Sequence, residues 1–339
     1  MAWVGDSVRV GISVPPDQPR VVANARWAEE SGFDYLACGE HLFFHGETPN
    51  AFVALAAAAG ATERIRLLST LTILPVYPPV LAAKLAATLD QVSNGRFELG
   101  VGVGGEYPLE FESVGVPLAE RGARTDEALE VVSRLLSGER LDYRGRWTVV
   151  PGLALDPPAI QQPRPPVWVG GRRRAAFRRA GRFADVWLPY LCTPEQLAES
   201  LAAVNDFAAG FGRSGTVGGA VFCWGAVDRD PAVARGQAVA AVSDTYNQDF
   251  DALADRYLLT GTPDQVLGRL LQYQDAGADT VIFAGPRDPV AWRRSVDLFA
   301  TEVLPGLHQS TAEHPIADAQ SPLIPAGRRP RSASTVTPC

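Results

Sequence analysis

Histidine and cysteine are scarce in this chain, with four of each among 339 residues. The cysteines, Cys38, Cys192, Cys223 and Cys339, form no CxxC pair and lack the dense spacing of a disulfide framework. That excludes a zinc ribbon and a stapled secreted domain, and predicts a reduced, cytoplasmic setting. Basic charge is lacking as well: 31 Lys and Arg stand against 38 Asp and Glu, for a net charge of −7. Phosphate backbones need a concentrated cationic surface, so nucleic acid is not an expected partner. Long apolar runs are also missing. The longest, 51–60, is too short to span a bilayer, and residues 1–11 lack the apolar stretch of a signal peptide. No membrane role is expected.

What is present suits one large α/β unit. Hydrophobic residues make up 46% of the chain and charged residues 20%, enough to bury a substantial core. Short β-branched runs at 8–14, 33–38, 65–74, 97–103, 167–169, 185–188, 217–227 and 281–284 read as strands. Helical patterns fill 20–30, 51–61, 79–91, 121–137, 175–182, 195–207 and 290–303, with a broken stretch over 231–259. The helix over 263–275 has Gly277 just beyond it as a stop. Such alternation predicts a closed (β/α)8 TIM barrel rather than an open doubly wound sheet.

Two segments stand apart. Residues 141–166 hold six prolines and read as an insertion between the fourth and fifth strands. Composition leaves open whether it covers the barrel mouth or meets a partner. Residues 309–339, rich in Pro, Ser, Ala and Arg without periodicity, are expected to be a disordered tail beyond a domain spanning 1–308.

The richest segment is 84–105, KLAATLDQVSNGRFELGVGVGG. A helix stops at Ser93-Asn94-Gly95, and an apolar strand then runs into glycines 100, 102, 104 and 105. Glycines at the C-terminal end of a parallel strand mark backbone that approaches something flat or bulky, and ligands bind at that end. The spacing departs from GxGxxG and follows the fourth strand, so it is not a dinucleotide fingerprint. After the fifth strand, Val169-Gly170-Gly171-Arg172-Arg173-Arg174 opens a helix. Free N–H groups at a helix start, with cations beside them, suit a phosphate. The two segments together point to a phosphorylated cofactor across the barrel mouth.

His41 and His45 fall just after the second strand, on the ligand face, and Glu40 precedes His41. A histidine there can move a proton near neutral pH, although many only bond a neighbouring loop. His41 and His45 are four apart with Glu40 and Glu47 alongside, but no HExxH or distant ligand set accompanies them, so no metal is expected. Small hydroxyl residues such as Thr70 at the end of the third strand can bond a ligand or simply belong to the strand.

These pieces together resemble the luciferase-like monooxygenase family, and within it the branch dependent on coenzyme F420, a deazaflavin. The matching residues are GEHL at 39–42, the stretch 68–75, and AKLAATLDQVSNGRFELGVGVGGEYPLEFESVGVP at 83–117. ERGARTDEALEVV at 120–132, PPVWVGG at 165–171, RFADVWLP at 182–189 and GTPDQVLGRLLQYQDAGAD at 261–279 match as well. The likeness runs from residue 8 to about 307.

The resemblance implies a TIM barrel holding a reduced flavin or deazaflavin at the C-terminal mouth of its strands. His41 would sit beside the reactive ring carbon or the substrate, as acid/base or polarising group, supported by Glu40 or Glu106; His45 is a further candidate. Thr70 and Leu71 would flank a non-proline cis peptide, forming a bulge behind the ring. Gly102, Val103 and Gly104 would lie near the cofactor, and Gly170, Gly171 and Arg172 would hold its phosphate. Sugar-phosphate dehydrogenases of the branch carry a glutamate where this chain has Gly105, with Glu106 one place later, and a tryptophan where it has His45. The strand-end aromatics Trp187, Tyr190, Phe222 and Trp224 suggest an apolar organic substrate instead.

Reduced F420 is therefore the expected cofactor. The alternatives are a monooxygenase using reduced FMN from a partner reductase, and a flavin-binding protein without turnover. A homodimer acting on a small molecule is expected.

Overall fold

Each strand of this protein is a short apolar run, and most helices that follow carry their own start signal. The computed structural model describes residues 8–13 and 20–307. It opens with β1 (Arg9–Ser13), α1 (Val21–Glu30), β2 (Tyr35–Cys38), α2 (Ala51–Ala59), β3 (Arg66–Ser69) and β4 (Thr72–Ile73). Next come α3 (Pro79–Val92), β5 (Phe97–Gly102), α4 (Pro108–Ser113), α5 (Arg121–Leu136), β6 (Leu141–Arg144) and β7 (Val149–Leu153). The chain continues through β8 (Val167–Gly170), α6 (Arg174–Phe183), β9 (Val186–Leu188), α7 (Pro194–Gly210) and β10 (Gly218–Val227). It finishes with α8 (Pro231–Tyr246), α9 (Ala254–Tyr257), β11 (Leu259–Gly261), α10 (Pro263–Asp275), β12 (Ala278–Ala284) and α11 (Pro289–Leu298).

Proline opens α3, α4, α7, α8, α10 and α11, where a missing N–H costs no helical bond. Thr193 with Gln196, and Thr262 with Gln265, add reciprocal capping boxes to α7 and α10.

Parallel pairing runs β1-β2-β3-β5-β8-β9-β10-β12, and β12 pairs back onto β1. The result is a closed eight-stranded barrel with helices between its strands, a TIM barrel. β4 adds beside β5, and β11 beside β10. Strand alternation sends Tyr35, Ala37, Leu68, Trp168, Leu188, Ala220 and Ile282 inward as one buried cluster. Their neighbours, including Leu36, Leu67, Leu99, Val169 and Val281, belong to the larger core under the helices.

Below the inner cluster lies a buried carboxylate, Glu98, only 3% exposed. It accepts from Tyr35 Oη (3.2 Å) and Trp168 Nε1 and pairs with Arg66, so its charge is compensated.

Three elements differ from the sequence-based expectation. The strand expected over 65–74 is two, β3 and β4, with a cis Thr70–Leu71 peptide between them. The broken helical stretch expected over 231–259 is α8 to Tyr246, a left-handed turn at Asn247 (φ 49°) and the short α9, but its last residue belongs to β11, Leu259–Gly261. The proline-rich segment 141–166 contains an antiparallel hairpin, β6–β7.

That segment packs on α3, α5 and the start of β5. Glu127 on α5 accepts from Arg146 N (2.8 Å) and Trp147 N (3.0 Å). Asp90 on α3 accepts from Ile160 N (2.6 Å) and Gln161 N (3.0 Å), and Gln161 Nε2 donates to Phe97 O (2.6 Å) at the start of β5. The tail over 309–339 lies outside the described residues. Among those described, no helix is long and apolar enough to cross a membrane.

Candidate active site

At the upper ends of β5 and β8 the inward alternation falls on glycine: Gly100 and Gly102 on one strand, Gly170 on the other. The missing side chains make room for Leu71, which packs on the inner barrel cluster. A β-carbon at Gly102 would lie 3.2 Å from Leu71 Cβ, one at Gly170 would run into Leu71 Cδ1, and one at Gly100 would collide first with the Ser69 carbonyl oxygen and lie 3.0 Å from Leu71 Cδ2. For these three glycines, then, the bulky neighbour is a residue of the chain itself.

Above Leu71 opens a cavity of about 280 Å³. Thr70, Leu71, Gly102, Val103 and Gly104 line it beside Gly170 and Gly171, and Glu40, His41 and Phe44 line it from the loop after β2. Leu188, Tyr190, Phe222, Trp224 and Tyr246 form an aromatic-rich wall. Thr70 Oγ1 is buried and has no hydrogen-bond partner among the described residues. Gly104 (φ +59°) turns the chain where a β-carbon would lie 2.8 Å from Ile73 Cγ2.

His41 is held from two directions. Its Nδ1 lies 3.1 Å from Glu110 Oε2, on a carboxylate that is wholly buried while the imidazole is 19% exposed. Leu42 N–H donates to the same oxygen at 3.3 Å. Phe44 stacks on the imidazole, with centroids 3.9 Å apart and planes 14° apart. With Nδ1 donating to Glu110, Nε2 is the ring nitrogen left for the cavity.

The luciferase-like monooxygenase profile matches residues 6–280. The chain belongs to the luciferase-like monooxygenase family.

This luciferase-like protein is 36% identical over 177 residues to uncharacterized protein Rv0940c of Mycobacterium tuberculosis, a match covering 52% of this chain. It spans 60% of the length of that curated relative. Its fold matches the coenzyme F420-dependent tetrahydromethanopterin reductase of Methanopyrus kandleri, with TM-score 0.75, 21% identity, and coverage of 89% of this chain and 99% of that one. It also matches the oxygenating constituent of 3,6-diketocamphane monooxygenase from Pseudomonas putida, a Type II Baeyer–Villiger monooxygenase in complex with FMN. There the TM-score is 0.70 and the identity 19%, covering 88% of this chain and 98% of that one.

The remaining expected site residues divide in this luciferase-like barrel. Glu40 lines the cavity, but its carboxylate is occupied elsewhere. Oε1 accepts from Ile73 N (3.1 Å), and Oε2 from Ala51 N (3.1 Å), Asn50 Nδ2 (3.2 Å) and Tyr77 Oη (3.1 Å). Burial pushes its carboxyl above the usual range, against the pull of these donors and of His41. Glu40 thereby ties the loop after β2 to the start of α2 and to β4. The partner of His41 is Glu110, not Glu40 or Glu106.

Glu106 lines the cavity, is exposed, and accepts from Tyr190 Oη at 3.4 Å. Burial and then that carboxylate raise the Tyr190 phenol. Arg172 lies 4.6 Å above the Tyr190 ring and donates to Leu191 O at 3.1 Å, off the cavity lining. His45 stands on the exposed rim, edge-on to Tyr107. Trp187 is buried core: its Nε1 donates to Gly171 O at 2.9 Å and its ring packs on Phe177.

Sequence reasoning missed Glu110, Phe44, Tyr246 and Arg287. A signal for Glu110 was present, since Pro108 opens a short helix with an acid in its first turn. Among the described residues, no three of His, Cys, Asp and Glu gather as metal ligands.

Proposed function

We propose that the protein transfers a hydride between coenzyme F420 and a small organic substrate. The observation that carries this reading is one cavity lined by the Leu71 floor, an unpartnered Thr70 hydroxyl and His41, which buried Glu110 holds from behind. A flat deazaflavin ring fits that set. Leu71 offers an apolar face, Thr70 Oγ1 an unused hydrogen-bonding group, and the backbone over 102–104 close approach. Gly170, Gly171 and the start of α6, with exposed Arg172 and Arg173 nearby, suit the phosphate of the same molecule.

Bound there, the reduced ring supplies the hydride. His41 Nε2 gives a proton to the substrate atom that gains charge, or takes one in the reverse direction. Glu110 holds the tautomer and orientation that this requires, and Phe44 supports the ring face. Tyr190, Phe222 and Trp224 orient an apolar body and exclude water.

The GVGVGG and ERGARTDEALEVV segments favour F420. The FMN-bound fold relative supports a second reading, in which reduced FMN arrives from a partner reductase and the substrate is oxygenated. A dimer of this chain belongs to either reading.

Titration of the purified protein with F420 and FMN, each oxidised and reduced and followed by fluorescence, separates them. F420 binding alone supports hydride transfer, selective binding of reduced FMN supports the oxygenase, and binding of neither overturns both. His41→Ala should abolish turnover with cofactor binding retained; absence of turnover in the unmodified protein with either reductant would leave a storage protein.

A further inference from the structure

The cavity carries a cation that the proposed chemistry leaves unused. β12 ends at Ala284, and buried Gly285 and Pro286 lead to Arg287, which is half-buried and lines the cavity. Its Nη1 donates to Thr245 Oγ1 at 3.2 Å, and that hydroxyl donates to Ala241 O at 2.8 Å. A β-carbon at Gly46 would lie 2.7 Å from Arg287 Nη2, so the loop after β2 rests directly on the guanidinium.

No carboxylate among the described residues lies within ion-pair distance of Arg287. Other half-buried arginines either pair with a carboxylate, as Arg66 with Glu98 and Arg164 with Asp185, or turn their N–H groups to several backbone carbonyls, as Arg96 and Arg213 do. The cavity's own acids do not fill the gap. Glu40 is committed to four donors, and Glu47 and Glu106 are exposed and stand beyond pairing distance. A partly desolvated guanidinium with most of its N–H groups unused is a seat for an anion, and its planar fork matches a carboxylate.

The surroundings define the rest of the ligand. Phe222 and Trp224 stand edge to face at 5.7 Å, and Trp224 and Tyr246 at 6.2 Å, on the same wall of the cavity. The phosphate seat proposed at β8 is another part of the rim, since β9 and β10 separate β8 from β12 in the barrel. The geometry points to an organic acid as the substrate class: an apolar or aromatic body on Phe222, Trp224 and Tyr246, with its carboxylate held by Arg287. This inference deepens the proposed function and rests on the cavity being its substrate site.

The test uses 2-naphthoate and its neutral isostere 2-naphthamide as probes, measured by titration calorimetry on the full chain without cofactor. The acid should bind at least about tenfold tighter than the amide, the scale of one charge-assisted contact. Arg287→Gln should erase that preference and leave F420 and FMN affinities unchanged. Arg287→Lys, which keeps the charge but loses the fork, should retain part of it.

Equal binding of acid and amide by the unmodified protein, binding of neither, or a preference that survives Arg287→Gln overturns the proposal. A fall in cofactor affinity with the probe preference intact would assign Arg287 to the cofactor and also overturn it. Because the probes are read without cofactor, failure of the F420 reading leaves this result interpretable.

Discussion

The Leu71 side chain occupies the space that a β-carbon on Gly170 would need. The two residues come from the bulge after the third barrel strand and the end of the fifth, and they share one volume above the inner barrel cluster. Gly170→Ala should therefore push Leu71 toward the cavity. The expected stability loss is about 1–3 kcal/mol, the usual cost of overpacking, together with weaker cofactor binding. Adding Leu71→Ala should recover part of that loss, giving a coupling of about 1 kcal/mol in urea unfolding. Strictly additive effects would show that the two side-chain volumes do not compete.

Glu110→Gln removes the charge behind His41 and keeps the shape of the buried side chain. Turnover should fall at least about tenfold, with F420 and FMN affinities within about twofold of the unmodified protein. Lost cofactor affinity at unchanged turnover would mean that the pair positions the cofactor and moves no proton.

Burial holds the Glu40 carboxyl above its ordinary range, so the folded protein keeps this proton to higher pH than the unfolded chain does. The stability this contributes is full below the unfolded carboxylate range, near about pH 4, and is lost as pH rises through the folded value. The melting temperature of the unmodified protein minus that of Glu40→Gln should shrink from about pH 4 toward pH 7. A difference that widens over that interval would reverse the sign of the linkage.

Burial also pushes the thiols of Cys38, Cys192 and Cys223 up to about 12, about 11 and about 12. At pH 8 the thiolate is then roughly a thousandth of each or less, and iodoacetamide should modify none of the three in the native protein. All three should react in urea. Peptide mapping by mass spectrometry reads this directly, and rapid native labelling of Cys192 would reveal that the segment after β9 opens.

Much of the barrel was legible because its signals are local. The turn Ser93-Asn94-Gly95 ends α3, and Asn94 (φ 53°) and Gly95 (φ 77°) take the left-handed conformations that such a stop requires. Arg96 follows and donates to Ala59 O, Thr62 O and Ile65 O, a set of contacts that the run SNGRF did not disclose. The hairpin within 141–166 was hidden by prolines, which mask a short strand pair at the protein's edge.

Local pattern alone determined the strand and helix order, the closed barrel as the expected architecture, the glycine-rich strand ends and the placement of His41 on the ligand face. Each of these is written in a few consecutive residues through alternation, turn chemistry and helix starts. Only the tertiary structure decided that Leu71 fills the glycine gap, that Trp187 faces the helices, and that Arg287 shares a cavity with His41. It likewise decided that Glu110, 69 residues away in sequence, is the partner of His41. Barrel closure sets which strand ends meet and how far each inserted loop reaches, and side chains brought together by that closure leave no periodic trace along the chain.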